Sequence, residues 1–213
     1  MGEVYEGRVK LLGSRIMHII IANQIANHFS IKDKASFLLG GIAPDAVTPK
    51  DLSHFFIGDV SDYTRSIDFE KFLNKYRNQS NTPFILGYYT HLIADDIWLK
   101  GFYLPWLKNR LEKNSNIFNQ YHNDFRLLNG KLLNYYGFKK ELQQELQKTG
   151  EMIELQEITF EQINKFIPFV LDDMNFEQNS LAQPLDVFTF EQIIGYIETS
   201  VEKGIMHVKS LVH

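Results

Sequence analysis

The segment GYYTHLIADDIW (residues 87–98) places three ionisable side chains inside an otherwise apolar run. They are His91, Asp95 and Asp96. A buried polar group is costly unless it is hydrogen-bonded, and a buried carboxylate costs far more. These side chains must therefore satisfy one another or share a cation, and the chain can adopt only a fold in which one of these happens.

Almost every periodic segment of the chain has the helical repeat, with apolar residues three and four positions apart. No segment carries the turn signal of a β-hairpin. A length of 213 residues suits one domain with a sizeable core. We therefore predict an all-α fold, a single-domain multi-helix bundle over residues 14–213, preceded by a loose N-terminal extension over residues 1–13.

Capping residues, a proline at a first helical position and glycines just past a helix predict where the helices begin and end. The predicted helices run from Ser14 to about Asn27, over 33–39 with Gly40-Gly41 as the stop, near 67–78, from Thr82-Pro83 to Gly101, and from Asn114 or Ser115 to Gly137. Two further helices should start at Thr159 and Thr189, where TFEQI has the spacing of a capping box.

Composition and charge disfavour several classes of function. A formal net charge of −4 and a pI near 6.0 give no basic surface for nucleic acid. Cysteine is absent, so any metal site is built from His, Asp and Glu, which suits Zn, Mn or Fe. No apolar run reaches the roughly 20 residues of a membrane-spanning helix, and the first residues make a poor signal peptide. We therefore expect a cytoplasmic protein.

His91 and Asp95 lie four residues apart, so they project from the same face of a helix. That face presents an imidazole nitrogen and a carboxylate to one point, as a metal chelate requires. Gly87, one turn earlier, has no side chain and would let another segment approach closely. Asp96 points elsewhere and is expected to be a supporting or capping partner. The alternative is a His–Asp hydrogen bond that fills a niche in the core.

Three other residues extend this pair. His18 lies in the apolar stretch IMHIIIA, Asp45 follows a proline in a loop, and His54 lies in SHFF. Taken singly, each is ordinary: a satisfied core histidine or a turn aspartate. Together with His91 and Asp95 they supply three His and two Asp, which is the ligand complement of a one- or two-metal hydrolase site.

The segment YHNDFRLLNG (residues 121–130) places His122, Arg126 and Asn129 on a common helical face. Such a stripe can close a metal site. His122 would be a ligand or a proton donor, and Arg126 would clamp an anion through two hydrogen bonds. The alternative interpretation is a solvated polar face.

The order of these motifs resembles the zinc-dependent phospholipase C family, an all-helical group. A histidine in the first helix is followed by FLLGGIAPDAV, SHFF and GYYTHLIADDIW, and the resemblance covers residues 15–100. It implies that His18, Asp45, His54, His91 and Asp95 hold metal, with Asp95 as the bridging carboxylate. It also implies that Asp45 steers or deprotonates the attacking water.

The chain departs from the family pattern in its later part. The full family site holds three zinc ions and uses the mature N-terminal amino group, another His soon after the Asp, and a later His-x-x-x-Glu. This chain has no histidine between residues 91 and 122, and His122 is followed four residues later by Arg126. We therefore expect one or two divalent ions, zinc first, with Mn or Fe as alternatives.

The sequence thus predicts a metal-dependent phosphoesterase that acts on a small phosphate ester or a phospholipid head group. Asp45, His122 and Arg126 are its expected catalytic residues. A phosphohydrolase of the His-Asp domain type is disfavoured, because the chain contains no adjacent His-Asp pair. The remaining alternative is a non-catalytic helical binding module that a structural metal stabilises, with the aromatic segment GFYLPWL (101–107) as a docking surface.

Overall fold

The computed structural model describes residues 14–148 and 150–212, so the predicted extension over residues 1–13 lies outside the described part. Within that part the chain is mostly helical with almost no sheet, which confirms the all-α prediction. The helices are α1 (Arg15–His28), α2 (Lys34–Ile42), α3 (Phe69–Lys75), α4 (Pro83–Trp98), α5 (Lys108–Lys113), α6 (Ser115–Tyr136), α7 (Lys139–Leu146), α8 (Phe160–Asp172) and α9 (Phe190–Lys209). Short 3₁₀ turns cover Ala43–Ala46, Arg77–Gln79 and Gln178–Ala182.

Several helix ends lie where local sequence signals put them. The Ser14 hydroxyl accepts a hydrogen bond from the Met17 N–H at 3.2 Å and caps α1. Gly137 ends α6 in the left-handed region with φ of 71°, which glycine adopts without strain. Both TFEQI segments form complete capping boxes, at Thr159 and Thr189. These predictions are confirmed.

Two predicted helix stops are wrong. Helix α2 continues through Gly40 and Gly41 to Ile42, because these glycines are buried in a helix–helix contact and leave the helical backbone intact. Helix α4 does not end at Gly101. It passes into a π-helix (Leu99–Leu107) that leads directly into α5. A glycine inside a helix weakens it by only about 1 kcal/mol, which tertiary packing easily outweighs.

The absence of a β-hairpin was also predicted wrongly. Two short strands, β1 (Phe56–Ile57) and β2 (Ser66–Ile67), pair in antiparallel register, with Phe56 opposite Ile67. Strands of two residues are too short to show an alternating pattern, so the sequence carries no periodic signal for them.

The centre of the molecule is formed by α1, α2, α4 and α9, and the contact between α2 and α4 is the most extensive. Glycines let these two backbones touch. A Cβ atom at Gly87 would lie 2.0 Å from the Phe37 carbonyl oxygen, and one at Gly40 would lie 2.0 Å from the Phe84 carbonyl oxygen. The close approach expected at Gly87 is therefore confirmed, and it fixes α2 against the face of α4 that carries His91.

Candidate metal centre

The structure brings the five predicted ligand residues together at the end of this central contact. His18 comes from α1, Asp45 from the 3₁₀ turn after α2, and His54 from the turn before β1. His91 and Asp95 come from α4. All five side chains are almost fully excluded from solvent. Five ionisable groups with so little water around them need a compensating charge.

Asp95 is the hub of the cluster. Its Oδ1 lies 3.1 Å from His18 Nε2. Its Oδ2 lies 3.1 Å from His54 Nε2 and 3.2 Å from His91 Nε2. Asp45 contacts the cluster through His54, with its Oδ1 3.5 Å from His54 Nε2. One carboxylate therefore faces three imidazoles, and a second carboxylate faces one of the same imidazoles.

Backbone carbonyls assign the protons of two of these imidazoles. His91 Nδ1 lies 2.8 Å from the Gly41 carbonyl oxygen, and His54 Nδ1 lies 3.2 Å from the Lys50 carbonyl oxygen. A carbonyl can only accept a hydrogen bond, so His91 Nδ1 carries the hydrogen. The Ser53 hydroxyl lies nearer to His54 Nδ1, at 2.9 Å, but it gives its own hydrogen to the Pro44 carbonyl, so His54 Nδ1 donates as well. In a neutral imidazole the Nε2 atom then has its lone pair free. Both Nε2 lone pairs point into the cluster.

Three acceptor atoms consequently form a triangle with no proton between them. The Nε2 atoms of His54 and His91 are 3.4 Å apart, and Asp95 Oδ2 lies 3.1 and 3.2 Å from them. Tetrahedral zinc with ligands at about 2.0–2.2 Å separates its ligand atoms by about 3.3–3.6 Å. The observed spacing agrees within a few tenths of an ångström. The donor set therefore fits a divalent cation.

Unsatisfied polar atoms support the same conclusion. Both ring nitrogens of His18 and both carboxylate oxygens of Asp95 are buried and make no hydrogen bond of good geometry to another described residue. Two sets of ligand atoms, each within 4.8 Å of one another, could hold a metal: His18, His91 and Asp95, and Asp45, His54 and His91. His91 belongs to both sets.

Electrostatics show where positive charge is needed. Burial raises the pKa of Asp95, but His18 and His91 outweigh it and hold that pKa well below its usual range. The pKa of Asp45 is likewise held well below its usual range, because Lys50 and His54 outweigh burial. Burial lowers the pKa of His54, yet the two carboxylates beside it leave that pKa raised. Positive charge is therefore favoured between His54 and the two carboxylates.

A cleft of about 280 Å³ opens beside the cluster. Of the five cluster residues, Asp45 lines it, together with Lys50 and Arg15. The Lys50 ammonium contacts Asp45 Oδ1, and Arg15 Nε lies 2.7 Å from Asp173 Oδ2. The polar stripe of α6 also lines this cleft, with His122, Arg126 and Asn129. The buried cluster and the cleft thus meet at Asp45.

The three members of the α6 stripe line the same cleft as Asp45 and differ in environment. Arg126 is exposed and donates a hydrogen bond from Nη2 to Asn123 Oδ1 at 2.9 Å. His122 is half-buried, with its ring edge-on to Phe118 at 4.4 Å. Asn129 is buried, and its Oδ1 has no hydrogen-bond partner among the described residues. The two sets of clustered ligand atoms do not include His122.

Sequence reasoning missed several supporting groups. Lys50 and Arg15 line the cleft, but a single lysine or arginine in a sequence carries no sign of its partner. The carbonyls of Gly41 and Lys50 orient the imidazoles, and a backbone group has no residue-type signal at all. Asp96 contacts residues outside the cluster: its Oδ1 accepts a hydrogen bond from the Ile67 N–H at 3.2 Å, which ties α4 to β2, and its Oδ2 accepts one from Lys100.

A helical bundle with a buried His/Asp cluster beside a charged cleft is compatible with the class of helical proteins that hold a divalent metal. The family model for zinc dependent phospholipase C matches residues 17–167, and the chain belongs to this family. The match includes all five cluster residues and continues past residue 100 through His122 and Arg126. Neither the curated proteins nor the solved structures gave a match.

Family membership supports a metal-dependent phosphoesterase kind of function, and the buried His and Asp groups are compatible with a metal site. In the described part of the chain, every helix is too short or too polar to cross a membrane.

Proposed function

We propose that this protein is a phosphoesterase that hydrolyses a phosphate ester in the cleft beside Asp45, using a divalent metal held by the buried cluster. One observation carries the proposal. The Nε2 atoms of His54 and His91 and the Oδ2 atom of Asp95 form a triangle of lone pairs with sides of 3.1–3.4 Å. A cation resolves this mutual repulsion, and the cleft gives a substrate access to it.

His18, His54, His91, Asp45 and Asp95 would hold one or two ions, zinc first, with Mn or Fe as alternatives. Zinc in such a site supplies Lewis-acid polarisation of a phosphoryl oxygen and lowers the pKa of water to about 7. The carbonyls of Gly41 and Lys50 fix the two imidazoles in the tautomer that ligation requires.

Asp45 is suited to orient the attacking water. Its side chain reaches both the cluster and the cleft, so a water between the two can donate a hydrogen bond to it. Its pKa lies well below the usual range, because Lys50 and His54 outweigh burial, so the carboxylate stays ionised at neutral pH. A carboxylate with a low pKa is a weak base, so Asp45 is better suited to orient a water molecule than to hold a proton removed from it.

The stripe on α6 would act on the other side of the substrate. Arg126 is exposed, and its guanidinium donates a hydrogen bond to Asn123 on its own helix, so it can turn towards a phosphoryl group. His122 lines the same cleft and would donate a proton to the leaving oxygen. A cleft of about 280 Å³ suits a small phosphate ester or a phospholipid head group.

The test compares two neighbouring aspartates in α4. Asp95→Asn keeps the size of the side chain but removes the charge at the hub of the cluster. Asp96→Asn makes the same chemical change where the carboxylate contacts Ile67 and Lys100. We expect the zinc-loaded Asp95→Asn protein to hydrolyse p-nitrophenyl phosphate or its bis-ester at least about 100-fold more slowly than wild type. The Asp96→Asn protein should keep its turnover.

A non-catalytic binding module would behave differently. If the metal only stabilises the fold, wild-type protein loaded with Zn, Mn or Fe will hydrolyse no ester in a broad panel. In that case the Asp95→Asn change will lower the melting temperature without any turnover to lose. This outcome would overturn the proposed function and leave the metal site in place.

A further inference from the structure

Lys50 is paired with the carboxylate that a second cation would need. Its ammonium contacts Asp45 Oδ1, the oxygen that lies 3.5 Å from His54 Nε2. Asp45, His54 and His91 form one of the two sets of clustered ligand atoms. The carboxylate that this second set depends on is therefore already paired with a positive charge that belongs to the chain itself.

The backbone keeps Lys50 in place. Its carbonyl oxygen accepts hydrogen bonds from the His54 backbone N–H at 2.9 Å and from His54 Nδ1 at 3.2 Å. The same residue thus orients the His54 imidazole with its backbone and neutralises Asp45 with its side chain. The lysine side chain is about three-quarters buried, with 24% of its surface exposed, so water screens the pair only partly.

The charges within the cluster favour a single metal ion. The two carboxylates carry two negative charges, and the three imidazoles are neutral when they bind metal. One divalent ion cancels the charge of the two carboxylates, so the cluster together with Lys50 has a net charge of about +1. A second divalent ion would leave three positive charges in a site that is almost closed to solvent, and such repulsion is screened poorly there.

We propose that the Lys50 ammonium takes the place of a second metal ion, so that the site holds one divalent cation per chain. This inference rests on the proposed metal site but not on turnover. The ion is then held by Asp95 and the three imidazoles that face its carboxylate, His18, His54 and His91.

The test counts zinc ions. Apo protein is titrated with an excess of zinc and examined by native mass spectrometry, with total zinc measured independently by plasma emission. Wild type should saturate at one ion per chain. Lys50→Met has nearly the same length without the charge, and it should saturate at two. Lys50→Arg keeps the charge and should remain at one.

A double variant tests the assigned position. Lys50→Met combined with Asp45→Asn removes the carboxylate that a second ion needs, so the stoichiometry should return to one. Circular dichroism checks that each variant folds, and Lys50→Gln replaces Lys50→Met if the latter does not. Two ions on wild type, or one ion on a folded, uncharged Lys50 variant, would overturn the inference. Inactivity of a one-zinc protein would count against the proposed function alone.

Discussion

Gly87→Ala should loosen the metal site from a distance, because it forces two helices apart. A Cβ atom at this position would lie 2.0 Å from the Phe37 carbonyl oxygen and 3.0 Å from the Gly41 nitrogen. Ordinary van der Waals contact begins at 3.4 Å, so α2 must retreat from α4 by up to 1.4 Å, the difference between 3.4 and 2.0 Å. Both nearest atoms belong to backbone, which cannot swing aside as a flexible side chain can.

The retreat reaches the cluster through Gly41, whose carbonyl accepts a hydrogen bond from His91 Nδ1 at 2.8 Å. Moving α2 by this amount would break that bond. Overpacking costs about 1–3 kcal/mol, and the lost hydrogen bond adds about 0.5–1.5 kcal/mol. The higher helix propensity of alanine offsets about 0.5–1 kcal/mol of this loss in the free energy of unfolding. We therefore expect a net loss of about 1–3 kcal/mol in the free energy of unfolding.

Zinc affinity should fall as well. Removing the partner that orients a metal-binding histidine typically weakens metal binding by about 10–100-fold. Urea unfolding of the apo protein measures the first effect, and a zinc titration against a competing chelator measures the second. The matched control is Gly195→Ala in α9, where an added Cβ meets nothing within 4 Å. That variant should gain about 0.5–1 kcal/mol in stability and bind zinc normally.

The reasoning fails if Gly87→Ala is as stable as wild type and binds zinc equally well. It also fails if Gly195→Ala weakens zinc binding to the same extent, since the effect would then not come from the contact between α2 and α4.

Two further predictions follow from buried charges. Asp124 is fully buried, and its carboxylate accepts hydrogen bonds from the backbone N–H groups of residues 186–188 at 2.8–3.1 Å. Asp124→Asn should therefore lower the free energy of unfolding, measured in urea, by about 2–4 kcal/mol. Its zinc stoichiometry should stay unchanged. The pKa of His54 is raised in the metal-free protein, because its bonds to Asp45 and Asp95 outweigh burial. This contribution to stability is fully present below the ordinary histidine pKa and is lost as pH rises through the raised value. Burial lowers the pKa of His91, whose contribution has the opposite sign. In a chelator, a His54→Gln variant, which keeps His91, should therefore lose less stability between pH 6 and pH 8 than wild type, as measured by thermal melting. Zinc competes with the proton on His54, so zinc affinity should weaken as pH falls.

The sequence by itself determined the local features of this protein. The helical repeat, the Ser14 cap, the Gly137 end and the two capping boxes depend on residues within a turn of one another. The shared face of His91 and Asp95 is equally local, since helix geometry alone sets it. The order of the motifs then indicated the family.

Only the tertiary structure decided the rest. Gly40 and Gly41 resemble a helix stop in the sequence, but packing against α4 and α1 makes them a contact surface, because the absence of a side chain permits both roles. The pairing of Lys50 with Asp45 depends on how the loop after α2 folds back over the cluster. The carbonyls of Gly41 and Lys50 set the imidazole tautomers, and every residue has a carbonyl, so only its position in space distinguishes these two from the others.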